Sequence, residues 1–142
     1  NKLYDLKIII LRYFNVYGDR QPTMGEYAPI IGRFIKLSKN NKKLTIVGDG
    51  TQKRDYTHVD DVVRANLLSI DSNQVGNAEI INIGSGENYS IKDLVEIFGV
   101  DYKFIPIRKG EAYETLANID KAKQLLNWQP TIFLKDWLKG VL

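Results

Sequence analysis

The pattern of apolar and polar positions in the first part of the chain predicts three strands and one helix. Residues 6–16, LKIIILRYFNV, are apolar on both faces and β-branched in their first half, which is typical of an interior strand of a parallel sheet. Helical spacing of apolar residues follows from about Pro29 to Lys39. Residues 44–48 form a short strand that stops at a glycine, and residues 53–59 alternate as a half-buried strand does.

The second part of the chain continues the alternation of strands and helices. Either Thr57 or Asp60 could cap a helix whose apolar residues recur at helical spacing as far as Ile70. Ser90 and Asp93 have the S-x-x-D spacing of a helix start. The other predicted elements are a strand with a glycine turn at residues 79–86, a helix end at Gly99, a strand at 102–107, and helices at 119–126 and 133–142. Strands and helices in this order predict an α/β fold.

Length and composition are those of one ordinary domain with enough apolar residues for a core, since 44% of the 142 residues are hydrophobic. The absence of cysteine excludes disulfides and thiolate metal sites, and a single histidine excludes zinc sites built from clustered histidines, so no metal is expected. No apolar run reaches the roughly 18 residues of a membrane span. We therefore expect a cytoplasmic protein without membrane contact. The chain begins at Asn1 and its only methionine is Met24, so we expect a fragment or a processed chain.

The net charge of +3 arises from dispersed lysines, of which the densest group is Lys36, Lys39, Lys42 and Lys43. Aromatic residues do not alternate with these lysines, as they would on a surface that stacks bases. A solvated helix end and loop is the simpler interpretation, and no nucleic-acid partner is expected. A phosphate-bearing small ligand would suit the positive excess equally well.

Residues 48–62, GDGTQKRDYTHVDDV, combine a glycine turn with an arginine and the start of a helix. The guanidinium of Arg54 matches two phosphate oxygens with parallel hydrogen bonds and stays charged at any relevant pH. Asp55 could brace this guanidinium; alternatively, the two residues form a surface pair of little energetic consequence. We interpret His58 as a hydrogen-bonded structural residue and not as a general base, because no nucleophile accompanies it. Residues 60–61, both aspartates, suit the free amides of a helix start better than a metal.

Three further segments carry side chains suited to a ligand site. Residues 11–18, LRYFNVYG, end a buried strand, where open α/β sheets bind ligands, although Tyr13 and Phe14 could simply pack there. Residues 81–86, INIGSG, lack the third glycine of a dinucleotide fingerprint and are interpreted as a turn. Residues 107–111, IRKGE, offer a cation and a carboxylate that could hold a diphosphate and a ribose, or could form an exposed loop pair.

Together these four segments resemble the C-terminal half of nucleotide-sugar epimerases and dehydratases, the extended branch of the short-chain dehydrogenase/reductase superfamily. The wording of residues 48–62 is the most specific part, and the resemblance is closest to UDP-glucose and UDP-N-acetylglucosamine 4-epimerases. Residues 125–130, LLNWQP, resemble the L-G-W-x-P element that ends these proteins, with Asn127 in place of glycine. The resemblance covers residues 1–142 and implies an α/β fold with the C-terminal part of a Rossmann-like parallel sheet plus the small substrate-binding lobe.

The resemblance also implies which residues contact ligands. Tyr13 and Phe14 would line the nicotinamide end of NAD. The residues implied for the UDP-sugar are Asn15 for the nucleotide sugar, Thr45 and Val47 for the pyrimidine base, Arg54 and Arg108 for the diphosphate, Glu111 for the ribose, and Thr115 for the 2-substituent of the hexose. Thr115 is much smaller than a tyrosine, which slightly favours an acetamido sugar.

In this family, a tyrosine takes the proton of the sugar 4-hydroxyl while hydride passes to NAD, and a glycine-rich loop and a Y-x-x-x-K motif carry that chemistry. Neither is present in this sequence, so we expect the N-terminal NAD-binding half to be missing. The chain should bind a UDP-sugar, should not turn it over alone, and should expose a sheet edge that favours self-association. The parent protein is expected to be a homodimer. The alternatives are a 4,6-dehydratase, a decarboxylase or a 2-epimerising relative and, from another class, a non-catalytic nucleotide-binding module.

Overall fold

Strands and helices alternate along the chain in the computed structural model, which describes residues 2–25, 27–107 and 110–142. In chain order the elements are β1 (Ile8–Tyr13), β2 (Val16–Tyr17), α1 (Ile30–Lys39), β3 (Leu44–Val47), β4 (Lys53–Asp55), β5 (Thr57–His58), α2 (Val59–Asp71), β6 (Asn77–Ile83), β7 (Asn88–Ser90), α3 (Ile91–Phe98), β8 (Tyr102–Ile105), α4 (Asp120–Leu126) and α5 (Leu134–Val141). The predicted α/β fold is confirmed. Across these described ranges, no helix combines the length and the apolar composition that a membrane span needs.

Among the described residues, three of the four strand pairs are parallel. β1 pairs with β6 over the longest register, which runs from Ile9 opposite Glu79 to Tyr13 opposite Ile83. β2 pairs with β5, and β3 pairs with β8. β4 and β7 run antiparallel. Parallel neighbours need long crossover connections, which explains why helices separate these strands in the sequence.

The buried apolar residues form two cores. The β1/β6 core consists of Val62, Ala65, Ile81, Ile83, Ala117, Ile119, Ala122, Leu126 and Trp128. The α1/α3 core consists of Tyr17, Ile31, Phe34, Leu44, Ile46, Tyr56, Ile91, Leu94, Val95, Phe98, Leu134 and Leu138. Trp128 is fully buried, as a large apolar residue in its position predicts, and its indole Nε1 donates to the backbone oxygen of Asp61 at 2.9 Å.

Apolar side chains remain exposed on two surfaces around β1 and α2. On the sheet, Ile10 is 45% exposed and its neighbour on β6, Ile80, is 44% exposed. On α2, the residues Val63, Leu67 and Ile70 are spaced so that they share one side of the helix, and all three are exposed. We call these three residues the α2 stripe. Within the described residues, β6 is the one partner strand of β1, so the other edge of β1 is open as predicted.

Two local predictions were wrong. The strand predicted at residues 53–59 is two strands, β4 and β5, which pair with different partners on either side of the buried Tyr56. The cap of α2 is neither Thr57 nor Asp60 but His58, whose Nδ1 accepts a hydrogen bond from the backbone N–H of Asp60 at 3.2 Å. Alternation of polar and apolar residues indicates an extended backbone, but it does not say which strands lie beside it.

Two asparagines adopt the left-handed backbone conformation. One interrupts a strand that the sequence pattern predicted as continuous, and the other replaces a glycine after a helix. Asn15, with φ of 25°, separates β1 from β2, so residues 6–16 are not one uninterrupted strand. Asn127, with φ of 48°, follows the last residue of α4, and its N–H donates to the carbonyl of Ala122. Asparagine adopts this conformation more easily than other residues with a side chain, which explains why it can replace glycine before Trp128.

Candidate functional site

A cavity of about 290 Å³ opens between α1, β3 and β4. Its lining consists of Asn15, Ala28, Ile30, Arg33, Phe34, Thr45, Val47, Gln52, Arg54, Tyr56, Ile91, Ile105 and Glu111. Five of the seven residues that the sequence assigns to a nucleotide sugar are in this lining, namely Asn15, Thr45, Val47, Arg54 and Glu111. The fold thus brings together residues from four separate segments. We call this space the candidate substrate cavity.

β4 holds Arg54 at this cavity by pairing on both of its edges. On one edge, Arg54 lies opposite Tyr89 of β7. On the other, the N–H of Lys53 donates to the carbonyl of Tyr113 at 2.9 Å, and the N–H of Thr115 donates to the carbonyl of Lys53 at 3.1 Å. The guanidinium of Arg54 donates through Nη1 to the carbonyl of Lys53 at 2.7 Å and to that of Tyr113 at 3.4 Å. Both bonds use one terminal nitrogen, so Nη2 keeps its donors for an oxyanion.

Asp55 does not brace Arg54, and the two residues do not form a surface pair. Its carboxylate is fully buried and accepts hydrogen bonds from the N–H and hydroxyl of Ser85 at 2.7 and 2.8 Å, from the N–H of Gly86 at 3.0 Å and from the N–H of Ala117 at 3.1 Å. Successive strand residues point to opposite faces, so Arg54 faces the cavity and Asp55 faces away from it. The prediction overlooked this alternation.

The INIGSG turn wraps around this buried carboxylate. A Cβ on Gly84 would lie 2.2 Å from the Cβ of Ala117 and 2.9 Å from Oδ2 of Asp55, so the backbone at this point must be glycine. The turn therefore donates hydrogen bonds to Asp55. The Asp55 carboxylate in this way connects three segments: β4, the turn at the end of β6 and the strand-like segment near Ala117. Its role in the fold agrees with the interpretation as a turn and explains the glycine.

Asn15 and Tyr56 contribute polar groups to the lining of the candidate substrate cavity. The Asn15 side chain donates through Nδ2 to the carbonyl of Asp55 at 2.7 Å, which fixes its amide. Tyr56 is 3% exposed, and its hydroxyl has no hydrogen-bond partner among the described residues. Burial raises the pKa of the Tyr56 phenol far above its usual range, while the positive charge of Arg54 opposes the rise. Tyr56 is therefore a protonated donor beside the cavity, and the sequence did not identify it.

The wall formed by β3 follows the period-2 rule of a strand. Leu44 and Ile46 point into the α1/α3 core and are 0% and 1% exposed, whereas Thr45 and Val47 line the cavity and are half-buried. The side chain of Gln52 donates through Nε2 to the carbonyl of Val47 at 3.0 Å and continues this wall. The hydroxyl of Thr45 and the isopropyl group of Val47 offer a ligand one polar and one apolar contact on this wall.

The second predicted arginine, Arg108, lies outside the described residues, so the predicted pair of Arg54 and Arg108 stays a prediction. A different arginine, Arg33 of α1, lines the candidate substrate cavity. Sequence reasoning missed it because Arg33 lies in a helical pattern and carries no recognisable motif. The available signal was its spacing: it lies three residues after Ile30 and one before Phe34, both of which also line the cavity.

Tyr13, Phe14 and Thr115 lie outside the cavity lining. Tyr13, at the end of β1, is 44% exposed, and its hydroxyl donates to Oδ1 of Asn66 at 3.0 Å. Phe14 is half-buried against the β1/β6 core. Thr115 is half-buried beside β4, where its backbone carbonyl accepts from the N–H of Asp55 at 3.0 Å. Their predicted contacts with NAD and with the hexose stay predictions.

His58 and Asp61 are structural in their contacts. The His58 ring is buried between Tyr17, at a centroid distance of 5.2 Å, and Trp137, at 5.7 Å, and it lies outside the cavity lining. Asp61 accepts from the backbone N–H groups of Thr131 and Ile132 at 2.9 and 3.0 Å and pairs with Arg64. Burial raises the pKa of Asp61, but these hydrogen bonds outweigh it and hold that pKa below its usual value.

Comparison with known proteins identifies the family to which this chain is similar. Residues 1–84 match the model of the family described as "NAD dependent epimerase/dehydratase family". A putative UDP-glucose 4-epimerase from Methanocaldococcus jannaschii is 39% identical over 100% of this chain and 47% of its own length. A UDP-glucose 4-epimerase from Thermotoga maritima, solved with UDP-glucose, matches with a TM-score of 0.88 at 39% identity, over 97% of this chain and 45% of its own.

A UDP-glucuronic acid 4-epimerase from Bacillus cereus, solved in complex with UDP-glucuronic acid and NAD, is also similar. It matches with a TM-score of 0.87 at 38% identity, over 97% of this chain and 45% of its own. The chain therefore spans a little less than half the length of these similar proteins.

Proposed function

The chain belongs to the NAD dependent epimerase/dehydratase family, and on this premise we propose that it forms the nucleotide-sugar-binding part of a UDP-sugar 4-epimerase. One observation carries the proposal: the fold gathers Asn15, Thr45, Val47, Arg54 and Glu111 around one cavity. Similar proteins bound to UDP-glucose and to UDP-glucuronic acid support the choice of ligand.

Each lining residue has a role that its chemistry suits. Thr45 and Val47 pack against the pyrimidine base, and Arg54 donates to the diphosphate oxygens through its remaining guanidinium nitrogens. The carboxylate of Glu111 accepts from the ribose hydroxyls, and Asn15 contacts the nucleotide sugar from the cavity lining. Arg108 is the second diphosphate ligand in this proposal, and Thr115 flanks the 2-substituent of the hexose.

NAD supplies hydride transfer at sugar C4 when it is bound. Tyr13 and Phe14, the residues proposed to line its nicotinamide end, follow one another at the carboxyl end of β1, where an open α/β sheet receives ligands. Tyr13 presents an exposed ring there, which fits an aromatic contact with the nicotinamide. No Y-x-x-x-K motif precedes this strand in the sequence, so the chain itself contributes no proton-transfer pair.

The proposal divides the work of the enzyme between two parts. Residues 1–142 contain the last Rossmann-like strands and bind the nucleotide sugar. An N-terminal NAD-binding part binds the cofactor. The open edge of β1 and the exposed Ile10 and Ile80 support a further layer at this side of the sheet. This chain alone is therefore inactive: purified chain supplied with UDP-glucose and NAD should form no UDP-galactose, and measurable epimerisation would refute the division.

Calorimetric titration with UDP tests the binding site itself. Loss of a charge-assisted hydrogen bond of about 1.5–3 kcal/mol should weaken UDP binding to Arg54→Ala by about ten- to a hundredfold. Lys53→Ala is the matched control, because Lys53 is the exposed neighbour of Arg54 on β4 and lies outside the cavity lining. Equal affinities for wild type and Arg54→Ala would refute the phosphate assignment. A chain that binds UDP but fails to support epimerisation when combined with an NAD-binding part would instead favour a non-catalytic nucleotide-binding module.

A further inference from the structure

Arg33 is a cation in the wall of the candidate substrate cavity that the proposed roles leave unused. We propose that Arg33 binds an oxyanion of the nucleotide sugar, as a positively charged ligand group in addition to Arg54. This inference rests on the proposed function, because it assumes that the cavity takes a nucleotide sugar. It assigns a binding role to α1, an element in which sequence reasoning found no site residue.

The position of Arg33 on α1 directs it to the cavity. Ile30, Arg33 and Phe34 are spaced by three and four residues, so they share one side of the helix, and all three line the cavity. Phe34 is 1% exposed and anchors this side of α1 in the α1/α3 core, while Arg33 is half-buried beside it. The helix therefore places Arg33 in the cavity wall, next to a fully buried anchor.

The guanidinium of Arg33 has no hydrogen-bond or ion-pair partner within the described part of the chain. Arg64 shows the contrast: its guanidinium contacts the carboxylate of Asp61, the carbonyl of Gln129 at 2.6 Å and the hydroxyl of Thr131 at 3.3 Å. A half-buried cation without an acceptor loses hydration without compensation. An oxyanion in the cavity would supply the missing acceptor through two parallel N–H···O bonds.

The surroundings of Arg33 are positively charged. In the candidate substrate cavity, the charged lining residues are Arg33, Arg54 and Glu111. Arg33 also lines a neighbouring cavity of about 280 Å³, to which Lys36 and Lys42 contribute and no described carboxylate does. Two lysines from the dispersed positive excess thus lie beside Arg33. Their summed potential favours an anion at this end of the site.

Two oxyanions of a nucleotide sugar could reach Arg33: the diphosphate, or the carboxylate of a uronic acid sugar. Calorimetric titrations with uridine, UDP and UDP-glucuronate separate them, because uridine carries neither group and UDP carries only the diphosphate. The variants are Arg33→Gln and Arg33→Lys, the second of which keeps the charge but loses the planar fork. Lys39→Gln is the matched control, since Lys39 is an exposed cation on the same helix outside both cavity linings.

We expect Arg33→Gln to bind UDP about tenfold more weakly than wild type, Arg33→Lys to be intermediate, and uridine binding and the Lys39→Gln control to be unchanged. A loss confined to UDP-glucuronate would also support the role and would assign it to the sugar carboxylate. Unchanged affinities for both anionic ligands, or an equal loss for uridine, would overturn the inference. If Arg33→Gln binds UDP and UDP-glucuronate as tightly as wild type while Arg54→Ala binds UDP more weakly, the inference fails and the proposed function stands; if wild type binds no UDP, both fail.

Discussion

The two cores of the molecule have similarly buried interiors, but different surfaces lie next to them. Around the α1/α3 core, the exposed residues form a cavity with paired backbone edges and several convergent polar groups. Around the β1/β6 core, the exposed surface of the described residues includes an open strand edge, the apolar side chains of Ile10 and Ile80, and the α2 stripe. The difference indicates that the polar cavity suits a ligand, whereas the apolar surface around β1 and α2 suits further contacts.

Asp55 connects the two regions, so its loss should have the largest effect. Its carboxylate accepts four hydrogen bonds at the junction between β4, the turn after β6 and Ala117. In Asp55→Asn, an amide NH₂ would face two backbone N–H donors, leaving about two buried donors unsatisfied at about 1–3 kcal/mol each. We expect a loss of about 4 kcal/mol in urea unfolding. Asp49→Asn, at an exposed carboxylate, is the control and should leave the midpoint of urea unfolding nearly unchanged.

Truncation of matched isoleucines tests the difference between the two surfaces directly. Ile46 of β3 is 1% exposed in the α1/α3 core, whereas Ile80 of β6 is 44% exposed. Ile46→Ala should therefore cost about 3 kcal/mol, and Ile80→Ala less than about 1 kcal/mol. Similar losses in urea unfolding would show that Ile80 is covered in solution, as self-association through the sheet face would do.

The pH dependence of stability should report on Asp61. Hydrogen bonds hold its folded-state pKa below the usual value for an aspartate, so its contribution is present above that usual value and is lost as pH falls through the folded-state pKa. We expect wild type to lose stability as the solution becomes more acidic than about pH 4. Asp61→Asn should lower the free energy of unfolding at neutral pH. The variant should then lose less stability than wild type as the pH falls further. If the variant loses as much stability in acid as wild type does, other carboxylates cause that loss.

The α2 stripe should give the smallest change in stability. Leu67 is 58% exposed, so Leu67→Lys should alter the free energy of unfolding by less than about 0.5 kcal/mol. If the stripe mediates association of copies, the same variant should lower the apparent mass in sedimentation at high protein concentration. A wild-type chain that is monomeric at all concentrations would contradict the expected self-association.

Much of the fold followed from local pattern. Ser90 and Asp93 form the predicted capping box, with the Ser90 N–H donating to Asp93 at 2.7 Å and the Asp93 N–H donating to Ser90 at 3.0 Å. Gly99 ends that helix in the left-handed conformation, with φ of 61°. These features depend on residues within one turn of each other, so a single sequence contains the information for them.

The partners of Asp55 could not be predicted in the same way. Ser85 and Ala117 lie 30 and 62 residues along the chain, and no local spacing links them to Asp55. Arg33 was missed for a related reason, because a helix pattern shows which residues share a side but not what that side meets. Arg54 was identified from the chemistry of its guanidinium, Thr45 and Val47 through the resemblance to a family, and all three line one cavity.

Mapping of backbone amide NMR shifts during a UDP titration tests the central claim most directly. We predict that the perturbed amides cluster at the candidate substrate cavity, in β3 and around Arg54 and Tyr56, while those of β1 and the α2 stripe change little. Perturbations centred on β1 and α2, or none at ligand concentrations in the millimolar range, would contradict the assignment of the cavity to a nucleotide sugar.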